Sequence, residues 1–282
     1  MIRIFVVHNW EETRLAYLVP RLEDLALGLS AAGYPASVDL VGPDIDLIKR
    51  HWTRHNWVNR ARRAYFAARM FCDGAMNDPR IEHREWLPRY FVHRFHELLM
   101  KYERSVRMEQ EVYFAHTHAR REAATTGEYA LILESDAVLT DQTLPGMVAL
   151  LNFVRQNRTE RVYVDLAGGC DRKEILHSWS FEERYGCRNV EVVPGLVLHI
   201  LPRFTANTAG GYLLSPQLAA ELVDFALHRR TYCGVDWNFN LFAAEKCNWA
   251  DFLCIHSTPL LFLQGSTTGH YASTCEPDVC PD

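Results

Sequence analysis

The stretch YALILESDAVLT, Tyr129 to Thr140, runs an apolar segment into Glu134-Ser135-Asp136 and then turns apolar again. Unpaired carboxylates are costly to bury, so a strand that ends on two of them ends at a surface or at a ligand. In an extended chain residues two apart share a face, so Glu134 and Asp136 can act together. Such a pair can hold a hard divalent cation, and the cation can hold a diphosphate. A helix cap or a structural acid at a strand end explains Asp136 equally well from these residues alone. Other constellations fail: the chain has no GxxxxGK[ST], GxGxxG or GxSxG pattern. His116 and His118, in HTHARRE, are two apart and so point to different faces of a helix, which argues against a zinc pair.

The elements that must position these acids follow from periodicity. Ile2 to Val7 is a β-branched and aromatic run that predicts a first strand. Leu22, Leu25 and Leu29 recur at helical spacing with Gly33 as a stop, and Pro20 places the helix start near itself. ASVDLVG predicts a second strand, and strand-helix-strand is a βαβ unit that implies parallel pairing. Helices are expected over 87–108 and 110–126. After the acidic strand come a helix in TLPGMVALLNFVRQN, a strand in RVYVDLAGG and a strand pair around Pro194-Gly195. Then follow a short strand and a helix with Ser215 as N-cap and Pro216 first, a helix in GVDWNFNLFAAEKCN, and one last strand before an exposed tail. The expectation is one α/β domain over 1–282, with a mostly parallel central sheet flanked by helices and a helical insertion at 44–115.

The 282 residues suffice for a large core, and 48% hydrophobic with 23% charged residues is ordinary for a globular protein. A net charge of −5 argues against general nucleic-acid binding. From Lys49 to Cys72 the chain nevertheless carries seven Lys/Arg and no Asp/Glu, interleaved with Trp52, Trp57, Tyr65 and Phe66. That run is either a solvated helical face or a contact for an anionic partner or membrane surface. No apolar run is long enough for a transmembrane helix, and MIRIFVVHNW lacks a signal-peptide pattern, so a cytoplasmic location is expected. The eight cysteines are scattered without a CxxC pair and read as reduced thiols.

Taken together, the motifs resemble a known family. ALILESDAVL resembles the acidic, DxD-like motif of GT-A glycosyltransferases, particularly glycosyltransferase family 25 of lipopolysaccharide biosynthesis. AHTHARREAATTGEYALILESDA is similar to the helix leading into that family's acidic strand. TANTAGGYLLSPQLAAELV, GVDWNFN and STPLLFLQGS resemble its tAGYliS, iDw and P…Q.S pieces, in the family's order. IFVVHNWEETR resembles its opening strand and Arg-bearing loop. The likeness covers about residues 1–40 and 112–270 and leaves the basic region without a counterpart.

The resemblance implies a GT-A-like (Rossmann-like) fold and an inverting transfer from a nucleotide-sugar, UDP-linked, to a carbohydrate or lipid-linked glycan acceptor of the bacterial surface. It implies Mn²⁺ or Mg²⁺ held by Asp136, with Glu134 assisting or contacting the donor, and His270 as a late ligand. Asp236 would be the base that takes the acceptor's proton, or the cap of its helix. Thr208, Ala209 and Gly210-Gly211 would form a small-residue loop that lets the sugar approach the backbone. Arg14 would steady the nucleotide unless it is an ordinary surface Arg, and Gln264 and Ser266 would line the site. His256, mid-strand, is expected to be a core histidine. Ser135 departs from the family's second Asp, and HNWEETR departs from its usual loop. A binding protein that lost turnover and a nucleotidyltransferase remain the alternatives. The basic run would place the protein at the inner membrane's surface.

Overall fold

A computed structural model describes residues 1–8, 11–43, 111–157, 159–168, 187–201, 209–229, 235, 238–239, 242 and 252–270. In chain order the elements are β1 (Ile2–Val7), α1 (Glu12–Ala31), β2 (Ala36–Val41), α2 (111–126), β3 (Tyr129–Glu134), β4 (Ala137–Leu139) and α3 (Thr143–Asn157). Then come β5 (Arg161–Asp165), β6 (Arg188–Val193), β7 (Leu196–Leu201), β8 (Gly211–Leu214), α4 (Pro216–Arg229), β9 (Phe252–Thr258), β10 (Phe262–Gln264) and α5 (Gly265–Thr268). Val235, Asn238, Phe239 and Phe242 are also helical. The inserted segment expected at 44–115 lies outside the described residues up to position 110, and residues 111–115 belong to α2.

One eight-stranded sheet, in the order β2-β1-β3-β8-β5-β9-β7-β6, organises the molecule. It is mixed, not mostly parallel as the βαβ opening suggested. Three neighbour pairs are parallel (β1–β2, β1–β3, β5–β9) and four are antiparallel. The cause is that β7 and β8 run against the other six strands. Gly211 lets β8 fit between β3 and β5, because a Cβ there would lie 3.0 Å from both Ala167 Cβ and Leu133 Cδ2.

Helices cover both faces, so the central strands are apolar throughout and do not alternate. On one face α1 and α3 bury Leu18, Leu22, Leu25, Met147 and Leu150 against Ile4, Val6, Leu131 and Leu133. On the other, α2, α4 and the helical residues Phe239 and Phe242 pack on Phe5, Ile132, Tyr163 and Tyr212.

Two local expectations change and two hold. Helix α1 begins at Glu12, well before Pro20, which lies inside it. Pro20 is exposed, so the carbonyl it leaves unbonded faces water, and burial of Leu18 and Leu22 on either side outweighs the lost bond. Gly33 does end the helix, with φ +88°. The last expected strand is two, β9 and β10, and β10 leaves the main sheet to pair with β4. Ser215 caps α4 as expected: its Oγ accepts the Leu218 N–H at 3.4 Å and also the β5 Val162 N–H at 2.9 Å. Among the described residues, no helix is long and apolar enough to cross a membrane, and Cys187 and Cys254 are in no disulfide.

Candidate functional site

From β1 the chain crosses to β2 on one side and, after α2, to β3 on the other, so the strand order reverses at β1. Ligands of open α/β sheets bind outside the carboxyl ends of the strands at such a switch point. Here those ends are Val7-His8 and Glu134, since Val7 pairs with Glu134. The acids singled out in the sequence therefore sit at the crevice that topology alone selects.

Asp136 lies in the turn between β3 and β4 and is 5% exposed. The β4–β10 ladder aligns Ala137 with Gln264, which brings the start of α5 over Asp136. The Gly265 N–H donates to the Asp136 carbonyl at 2.8 Å. Ser266 donates to Asp136 Oδ2 twice, from Oγ at 2.7 Å and from N–H at 3.2 Å. Thr143 Oγ1, donating to the Leu261 carbonyl at 2.6 Å, ties β10 to the start of α3 and holds this arrangement. Asp136 Oδ1 has no hydrogen-bond partner among the described residues. Burial pushes the Asp136 carboxyl above its ordinary value, and the Glu134 charge adds to this. The Ser266 hydrogen bonds and the Arg14 charge pull the other way.

Arg14 is thus within electrostatic reach of Asp136. It is a buried residue of the first turn of α1 and pairs with Glu11; it is not a surface Arg. Gly210 joins the cluster: its carbonyl accepts the Glu134 N–H at 3.0 Å, and the Gln264 side chain lies over it. Ala209 is buried beside it. Arg14, Glu134, Asp136, Ala209, Gly210, Gln264 and Ser266 therefore converge at one end of the sheet. Thr208 and Asp236 lie outside the described residues, as does the basic run 49–72. His270 is exposed, with Nδ1 2.9 Å from Thr268 Oγ1.

Among the described residues no three His, Cys, Asp or Glu side chains form a ready metal cage. Two mutually repelling carboxylates, one with an unpartnered buried oxygen, still fit a cation that draws its other ligands from water and a diphosphate. Mg²⁺ in particular is usually held by one or two carboxylates in this way.

The sequence reading passed over a polar layer beneath the acids. Glu134 points to the α2 face, where His116 Nε2 stands 3.4 Å from its Oε1. His116 Nδ1 is 2.7 Å from Tyr212 Oη, and Arg120 donates to that same oxygen from Nε and Nη2 at 3.2 and 3.1 Å. His116, Arg120 and Tyr212 are fully buried, and the guanidinium lies 4.2 Å over the Phe239 ring. The signal was available: Tyr113, His116, Arg120 and Ala123 share one helical stripe, whereas His118 falls off it and pairs with Glu122 at 3.8 Å. Further along the same face Asp165 ends β5, in register with Tyr212 and His256. Its Oδ1 accepts the Gly168 N–H at 2.9 Å. Its buried Oδ2 lies 3.8 Å from His256 Nδ1, so His256 faces a buried acid rather than sitting in plain core.

Burial lowers the His116 pKa below its ordinary value of 6.5; Glu134 opposes this and Arg120 reinforces it. A histidine held neutral on folding adds stability above its unfolded pKa, and that stability is lost as pH falls through 6.5 towards the lowered folded value. The thermal midpoint is therefore expected to drop as pH falls through 6.5, and less steeply in His116→Gln. Equal slopes in differential scanning fluorimetry would show that His116 is not held neutral.

No family model matches the chain, and no curated protein matches it.

Proposed function

We propose that the chain is a metal-dependent, GT-A-like glycosyltransferase. It moves a sugar from a nucleotide-sugar, UDP-linked, to a carbohydrate acceptor of a bacterial surface glycan. The observation that carries this reading is the placement of Glu134 and Asp136, with Arg14 and Gly210, at the switch point of the sheet. That is where a diphosphate-bearing nucleotide binds in open α/β sheets. One antiparallel strand, β8, delivers Ala209 and Gly210 to the same edge, beside β10 and its Gln264.

Asp136 Oδ1 and the Glu134 carboxylate would hold Mn²⁺ or Mg²⁺. The ion would neutralise charge building on the departing diphosphate. Arg14 adds a second positive charge on the β1 side. Gly210, with the Gln264 side chain over it, lines the place where the resemblance puts the sugar. In the transfer the bond between the anomeric carbon and the diphosphate oxygen breaks, and one from the acceptor oxygen to that carbon forms. The acceptor's proton passes to a base, a role that the family resemblance gives to Asp236. Inversion at the anomeric carbon rests on the same resemblance. The basic, aromatic run 49–72 supplies charge suited to a lipid-linked anionic acceptor or to the inner membrane surface.

The test is donor hydrolysis. The full chain is incubated with a panel of UDP-sugars, with Mn²⁺ and then with a chelator. Slow, metal-dependent release of uridine diphosphate is the expected result. Pyrophosphate would make the chain a nucleotidyltransferase. Metal-dependent binding with no product in the presence of acceptor glycans would make it a binding protein, an outcome that the loss of one carboxylate at Ser135 would explain.

A further inference from the structure

We propose that Arg120, Tyr212 and His116 form a buried positioning chain for Glu134. It locks His116 as the Nε2–H tautomer and sets that N–H beside Glu134 Oε1, near enough to bond it once the carboxylate turns towards the ring, leaving the second carboxylate oxygen to the ligand. The proposal rests on the functional reading above only for what that ligand is.

The tautomer follows from counting donors and acceptors. Arg120 has no acceptor atom, so both of its contacts to Tyr212 Oη, at 3.2 and 3.1 Å, are donated by the guanidinium. They occupy the lone pairs of the phenol oxygen. The phenol's own proton then needs an acceptor, and with Tyr212 fully buried the one at hand is His116 Nδ1, 2.7 Å away. A nitrogen that accepts carries no proton in a neutral imidazole, so the ring proton is on Nε2. Nε2 is the atom beside Glu134 Oε1, 3.4 Å away with no hydrogen bond formed between them, so its proton has this carboxylate as its nearest acceptor.

The other two protonation states fail locally. A proton on Nδ1 would leave the phenol hydrogen without an acceptor and set the Nε2 lone pair against a carboxylate. Protons on both nitrogens would orphan the same hydrogen and place a second buried cation beside Arg120. The chain therefore runs one way, from the guanidinium through the phenol and the imidazole to the carboxylate. It resembles the outer partners that orient the ligands of metal sites, whose loss costs about 10–100-fold in affinity. Arg120 and Tyr212 touch no ligand in this scheme and act through His116. The packing suits that role, since the His116 and Tyr212 rings stack at 5.6 Å and Phe239 closes the layer against Tyr212 at 5.0 Å.

The experiment uses the full chain labelled with ¹⁵N-histidine, read by long-range proton–nitrogen spectra at neutral pH, with His116→Gln identifying the His116 signals. An unprotonated Nδ1 and a protonated Nε2 are expected. Tyr212→Phe keeps the ring and its packing but removes the phenol, and should release the tautomer. It should also weaken binding of uridine diphosphate with Mn²⁺ by about tenfold or more. Glu134→Gln should shift the Nε2 signal whether or not any nucleotide binds. A protonated Nδ1 in the wild type, or a Tyr212→Phe chain with unchanged tautomer, overturns the proposal. So does a Glu134→Gln chain with an unmoved Nε2 signal. Failure of the wild type to bind uridine diphosphate would instead sink the transferase reading and leave the spectra to decide the tautomer.

Discussion

Asp136→Asn is expected to lower metal-dependent donor turnover by roughly a hundred- to a thousandfold while making the fold more stable. The first effect follows from charge. Holding a divalent ion against a diphosphate is worth several kcal/mol, and each 1.4 kcal/mol or so is tenfold in rate. Asparagine keeps an oxygen to accept the Ser266 N–H and Oγ–H, so the loop that carries Gln264 stays in place. The second effect follows from the raised pKa of Asp136, caused first by burial and then by Glu134. A carboxyl whose folded value is raised contributes stability below its unfolded value of 3.8, and that stability is lost as pH rises through the folded value. At neutral pH the charged side chain therefore costs stability, and asparagine removes the cost. Each kcal/mol relieved should raise the thermal midpoint by about 2–4 °C. A substituted chain that still releases nucleoside diphosphate at the wild-type rate with Mn²⁺ would remove Asp136 from the site.

Arg120→Met is expected to cost about 3 kcal/mol of unfolding free energy, more than an ordinary substitution on a helix. The fully buried guanidinium donates two hydrogen bonds to Tyr212 and lies on the Phe239 ring, so methionine restores volume but leaves the phenol oxygen short of donors. Replacing both polar partners by apolar groups of similar shape is far cheaper than removing one. Tyr212→Phe should therefore cost less in the Arg120→Met background than in the wild type, with a coupling of about 1 kcal/mol. Urea midpoints of the two single variants and the double variant measure this directly. Strictly additive losses would show that the guanidinium is not held by Tyr212.

Much of the local structure was legible because it depends on near neighbours. β1, β2, β3, β5, the β6–β7 pair, β8 and the Ser215-Pro216 start of α4 all lie where hydrophobic runs, turn residues and capping chemistry place them. The position of Glu134 and Asp136 at a strand end was legible for the same reason, since an apolar run that stops on acids has reached the edge of a sheet.

What the sequence could not decide depends on partners distant in the chain. Nothing in GYLL announces that β8 runs antiparallel between β3 and β5, yet that pairing makes the sheet mixed and carries Gly210 to Glu134. Pro20 reads as a helix start by local rules, and only the burial of Leu18 and Leu22 against the sheet overrides it. Arg14 has the look of a surface residue until α1 docks and puts its charge beside Asp136. Arg120 and His116 look like part of a solvated charged helix until α2 packs on Tyr212. The sequence by itself determined which segments are strands and helices and which acids end a strand, because those depend on backbone propensity and on alternation over a few residues. Only the tertiary structure decided which charges are buried together and which oxygen of Asp136 is left without a partner. Desolvation and ion pairing depend on distances in space, and no period along the chain encodes them.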